Sequence, residues 1–91
     1  MDTLTLTLGE RILLCRHRAR LSKTELAHRT GVSPSAISKY EDDISAPSQE
    51  TITNLAIALG VSVNFLLYGF YDSASEMERK GLLKKKEDFT L

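Results

Sequence analysis

Helix starts recur at short intervals along this chain, and that punctuation limits its fold more than any other feature. Thr7 is followed three residues later by Glu10, and Ser22 by Glu25. In such a capping box each side chain satisfies a backbone N–H that the first helical turn leaves free. Ser33 precedes Pro34, a residue that loses nothing at a first helical position because its missing N–H would be unpaired there. Ser48 and Ser62 open two further stretches. Gly31, Gly60 and Gly69 supply stops, since glycine enters the left-handed region after a helix at little cost. This spacing predicts helices over about 8–20, 23–30, 34–43, 49–59 and 63–68.

The apolar pattern agrees. Leu8, Ile12, Cys15 and Ala19 fall at helical spacing, as do Ile52, Leu55, Ala56 and Leu59. On the third helix Ile37, Tyr40 and Glu41 share one face. Val61, just before the last cap, is placed to pack on Leu66 as a hydrophobic staple. The expected class is all-α. Flanking segments differ. Thr3 to Leu8 alternates with period two, which predicts an extended arm or short strand over residues 1–7. Beyond the domain at 8–69, residues 70–91 form a tail with acids early (Glu76, Glu78) and bases late (Arg79, Lys80, Lys84, Lys85, Lys86). That order suits a helix dipole. Gly81 interrupts the tail, and Met77, Leu82 and Leu83 give a thin apolar stripe, so a solvated tail and a partner-binding helix both stay open.

Several function classes are set aside. No apolar run approaches the length of a membrane span, and Met1-Asp2-Thr3-Leu4 lacks the basic start of a signal peptide, so a cytoplasmic location with no membrane partner is expected. Cys15 is the single cysteine, which rules out an internal disulfide and a Cys-based zinc cluster. His17 and His28 stand apart from other ligand types. No nucleophile–base–acid set and no GxxxxGK phosphate loop is present. Neither metal nor cofactor nor enzymatic role is expected.

Charge gives the first positive indication. The net charge is zero, yet seven basic residues lie between Arg11 and Lys39 (Arg11, Arg16, Arg18, Arg20, Lys23, Arg29, Lys39) against one acid, Glu25. From Glu41 to Glu78 seven acids occur with no Lys or Arg. Such segregation predicts a dipolar surface with one anion-seeking side.

The span Lys23 to Asp42 reads KTELAHRTGVSPSAISKYED. Ala27 is small enough for close helix approach, Gly31 permits a tight turn, and Leu26, Val32, Ile37 and Tyr40 lock the two helices together. These are the requirements of a helix-turn-helix. With LGERI at Leu8 to Ile12 and ALGVSVNFLL at Ala58 to Leu67, the stretch Leu8 to Gly69 resembles the phage-repressor/Cro family, also called the xenobiotic-response-element type. The resemblance implies a five-helix, lambda-repressor-like DNA-binding domain with a short C-terminal extension. It further implies a third helix that reads double-stranded operator DNA, and a homodimer on a partly palindromic site.

The implied DNA-facing set is Lys23, Thr24, Ser33, Pro34, Ser35, Ser38, Lys39, Arg16 and Asp42. Ser35 and Ser38 can donate or accept toward bases, Lys39 suits guanine or a phosphate, and Pro34 offers apolar contact only. Lys23 stands where the family often has a phosphate-holding glutamine, with Thr24 and Ser22 as hydroxyl neighbours. The resemblance also places Arg16 opposite Glu41 as a structural ion pair. Asp42 and Asp43 fit poorly, because two carboxylates here would repel phosphate; alternatively Asp42 accepts from cytosine N4. The leading expectation is a homodimeric transcriptional repressor. Competing readings are an antitoxin that binds a toxin through the tail and represses its own operon, and the DNA-binding part of a longer regulator.

Overall fold

The computed structural model describes residues 5–70. Five helices follow in order: α1 (Leu8–Arg18), α2 (Lys23–Thr30), α3 (Pro34–Glu41), α4 (Gln49–Leu59) and α5 (Val63–Tyr68). Every expected start is in place. Thr7 accepts from Glu10 N at 3.1 Å while Thr7 N donates to the Glu10 carboxylate at 2.9 Å, and Ser22 and Glu25 repeat the arrangement at 3.0 Å each way. The Ser22 backbone N–H, and then its hydroxyl, hold the Glu25 carboxyl below the usual carboxylate range. That contribution is present above the ordinary glutamate pKa and fades as pH falls through the lowered value. Ser33, Ser48 and Ser62 accept from Ala36, Thr51 and Phe65 backbone N–H groups.

The first helix ends earlier than its periodicity suggests. Ala19 caps it and is exposed instead of joining the core, and Arg20 turns left-handed at φ 57°. Arg20 N donates to His17 O at 3.0 Å and Leu21 N to Arg16 O at 3.1 Å, which closes the helix and sends the Leu21 side chain inward. Asp43 does the same after α3, also at φ 57°. The third helix therefore stops at Glu41 with Asp42 as its cap, two residues short of the expected end.

One core unites the five helices: Ile12, Cys15, Leu21, Leu26, Ala27, Ile37, Ile52, Leu55, Ala56, Leu59, Phe65 and Leu66, with Leu8, Val32, Tyr40 and Val61 packed at its margin. Burial pushes the Cys15 thiol up from its usual pKa, partly offset by Arg18 and Arg11. No strand forms over residues 5–7; the remainder of the expected arm and tail residues 71–91 lie outside the described residues. No helix among the described residues is long and apolar enough to cross a membrane.

The tightest joint is where α1 begins against the end of α3. A Cβ on Gly9 would stand 2.7 Å from Glu41 O and 2.6 Å from a carboxylate oxygen of Asp43, with Tyr40 O nearer still. Only glycine lets these backbones approach this closely. Gly9→Ala is expected to cost about 1–3 kcal/mol through overpacking, read as a lower urea midpoint. A midpoint equal to wild type would mean the joint opens freely.

Candidate nucleic-acid interface

The helix pair α2–α3 builds the candidate site from its turn outward. Gly31, at φ 73°, ends α2, and Val32 N donates back to Ala27 O at 3.1 Å. Leu26 and Ala27 from α2 and Ile37 from α3 are buried together. Thr30, also buried, donates its hydroxyl to Leu26 O at 2.8 Å. With Ile37 and Glu41 turned inward, Pro34, Ser35, Lys39 and Asp42 are exposed and Ser38 is half-buried. Ser35, Ser38 and Asp42 follow helical spacing along the outer face, with Lys39 beside them. Lys23 and Thr24 are exposed at the start of α2, and Lys23 Nζ donates to Ser38 Oγ at 3.1 Å. Lys23 and Ser38 thus meet at one edge. Ser33 is exposed too, but its hydroxyl oxygen serves the α3 cap.

Arg16 lies elsewhere. Its Nε donates to Glu41 Oε2 at 2.6 Å and its Nη2 to Oε1 at 3.0 Å, a two-pronged pair, while Nη1 donates to Leu21 O at 3.1 Å. Both side chains are buried. The hydrogen bond to Glu41 raises the Arg16 pKa further, against the effect of burial. Of its two expected roles the ion pair is present, and all three guanidinium nitrogens make bonds within the fold.

Arg11 is a second buried cation. Its Nε donates to Leu66 O at 2.7 Å, Nη2 to Leu67 O at 2.6 Å, and Nη1 to Leu6 O. It therefore fastens α1 to the C-terminal end of α5, where carbonyl dipoles favour a positive charge. A signal was present: Leu8, Arg11 and Cys15 are spaced three and four apart, on the inward stripe.

The positive stretch is consequently weaker than its sequence count. Arg11 and Arg16 are interior, and the exposed members do not form one stripe. Arg18 borders Leu59, Val61 and Phe65, and Arg29 borders Asn54, Ile57 and Ala58.

Asp43 reverses its expected part. Its Oδ2 accepts from Thr7 Oγ1 at 2.6 Å and its Oδ1 from Gly9 N at 3.0 Å, so the carboxylate sits on the N-terminus of α1. It is spent on the positive end of a helix dipole. Asp42, beside it, is exposed.

Five helices with this pair, turn and outward polar face define a helix-turn-helix domain. The helix-turn-helix family model matches residues 12–66, and the chain belongs to that family. It is similar to the SPbeta prophage-derived HTH-type transcriptional regulator YonR of Bacillus subtilis, 38% identical over 67% of this chain. It is also similar to the HTH-type transcriptional regulator YqaE of the same organism, 28% identical over 89% of this chain. The matched region spans 56% of YonR and 71% of YqaE. Among solved structures, the P22 c2 repressor in complex with a synthetic operator superposes with a TM-score of 0.70 at 35% identity, covering 72% of this chain and all of that one. The SinR protein/SinI protein complex gives a TM-score of 0.65 at 29% identity, over 91% of this chain and 87% of that one. The domain is thus of the phage-repressor kind found in DNA-binding transcriptional regulators.

Removing Arg16 leaves Glu41 buried and unpaired. Arg16→Ala is expected to cost about 3–5 kcal/mol, and the exposed Arg18→Ala less than about 0.5 kcal/mol, by denaturant unfolding. Equal midpoints for the two variants would sink the clamp.

Proposed function

We propose that this chain is a sequence-specific double-stranded DNA-binding transcriptional regulator, acting as a repressor when two copies occupy a partly palindromic operator. The observation that carries this reading is the outward face of α3. Ser35, Ser38 and Lys39 stand on it beside Lys23, while Ile37 and Glu41 hold the opposite face inside. The N-terminal part of such a helix enters the major groove, with Ser35 and Ser38 toward base edges and Lys39 toward a guanine or phosphate. Lys23, Thr24 and Ser33 flank that entry where backbone phosphates would pass, and Pro34 offers its ring to a thymine methyl. Asp42 is left to accept from cytosine N4 or to repel a phosphate. The operator-bound P22 c2 repressor supports this placement by likeness of fold and sequence.

Pairing has its own support. Tyr68 is 56% exposed and Phe70 51%, and their rings stack with centroids 6.1 Å apart at the end of α5. Two large aromatics held together in water form a patch suited to burial against a second copy. One domain of this size makes few contacts, so two copies with recognition helices about 34 Å apart supply the affinity that one lacks. A partner protein on the tail is the second reading, favoured by the likeness to SinR, whose structure is a complex with SinI and which matches 91% of this chain.

The test is selection of bound sequences from a random DNA pool, with molar mass measured in the same buffer. A palindromic consensus and a dimer mass are expected; no enrichment would overturn the reading. Log affinity should also fall linearly with log salt as counterions leave the phosphates. Affinity unchanged between about 50 and 200 mM salt would contradict phosphate contact. Truncation after Gly69, which removes Phe70 and the tail, is expected to shift the protein toward monomer and weaken operator binding with helicity retained. A truncated form still dimeric and binding DNA equally well would assign the tail to another partner, such as a toxin.

A further inference from the structure

Lys23 and Ser38 sit on different helices, yet Lys23 Nζ donates to Ser38 Oγ at 3.1 Å. An ammonium group has donors and no acceptor, so in this bond the serine oxygen must accept. The one hydroxyl proton of Ser38 is then left to point elsewhere. A hydroxyl inside a helix often returns its proton to a carbonyl one turn back. Thr30 does so toward Leu26 O at 2.8 Å, and Thr53 toward Gln49 O at 3.1 Å. Ser38 makes no such return bond among the described residues. It stands on the outer face of α3, half-buried, with the ammonium of Lys23 alongside.

We propose that Lys23 and Ser38 act as one base-reading unit that selects guanine. Two donors converge on a single point of the groove: the Ser38 hydroxyl, oriented outward by Lys23, and the remaining N–H bonds of Lys23 itself. Guanine is the base whose major-groove edge presents two acceptors, O6 and N7; adenine and thymine each offer one, and cytosine offers the N4 amino donor. Cytosine would face two donors with a third. Lys23 is therefore a specificity-determining residue as well as a cation near phosphate, and a serine that would otherwise read either polarity has one of its two lone pairs occupied and its proton left to donate. This inference rests on the proposed DNA-binding function.

The test is the same random-pool selection run on the full chain with wild type, Lys23→Met, Ser38→Ala and the double variant. Both residues lie outside the core, and unchanged thermal unfolding checks that each variant folds. Wild type is expected to show a guanine in each half-site that Lys23→Met and Ser38→Ala both lose, at the same position. Each single change lowers discrimination there by about tenfold, and the double variant loses no more than either, as coupled residues do. On a fixed operator, 7-deazaguanine at that position, which lacks the N7 acceptor, should weaken wild type and leave Ser38→Ala unaffected. A Lys23→Met consensus identical to wild type, with all sequences weakened alike, would overturn the inference and reduce Lys23 to a phosphate contact. Changes at different positions for the two variants would overturn it as well. Wild type enriching no sequence would be the failure of the DNA-binding reading itself.

Discussion

The orientation of the recognition helix depends on one joint, where the first helix begins against the end of the third. Arg16 grips Glu41 with two parallel hydrogen bonds, and two residues on, Asp43 closes over Thr7 and Gly9. The pair and the cap act on the same end of α3. A buried ion pair gains little over an apolar contact of equal volume, because both charges must leave water. What it supplies is geometry: a planar guanidinium accepts a carboxylate in one plane only. Gly9 makes the approach possible, and the carboxylate of Asp43 fills the space its side chain would need.

The other end of α3 is held differently. There the turn at Gly31 and the small Ala27 bring α2 close, and further along the helix Lys23 reaches across to Ser38 at 3.1 Å. The C-terminal end is thus locked by buried charge and the N-terminal end by packing against α2. Rigidity is placed where the helix meets the body of the protein. On the far side, Arg11 gathers the Leu66 and Leu67 carbonyls, so α1 is the strut that fixes both the reading helix and the aromatic patch at Tyr68 and Phe70.

The helices were legible in the sequence because their determinants are local. A cap acts over three residues, and a left-handed stop over one or two, so Thr7, Ser22, Ser33, Ser48, Ser62, Gly31, Gly60 and Gly69 declare themselves without knowledge of the fold. The stops at Arg20 and Asp43 use residues other than glycine in the left-handed region, which no cap signal in the sequence marks. Asp43 is held there by bonds from Gly9 and Thr7, 34 and 36 residues earlier. Charge counting along the chain misled for a related reason: it cannot distinguish a basic residue in water from one bonded to carbonyls in the interior. The spacing of Arg11 and Arg16 on the apolar stripe of α1 was the available sign.

The sequence by itself determined five capped helices, their inward faces and the polar set on the third, since each follows from hydrogen bonds and side-chain spacing within a few residues. Tertiary structure alone decided which charges serve the fold and which face outward. Arg11 went to the end of α5, Arg16 to Glu41 and Asp43 to the start of α1, leaving Lys23 bonded to Ser38 and Lys39 exposed. The physical reason is that a charge finds its partner in space, and these partners lie 25 to 56 residues away along the chain.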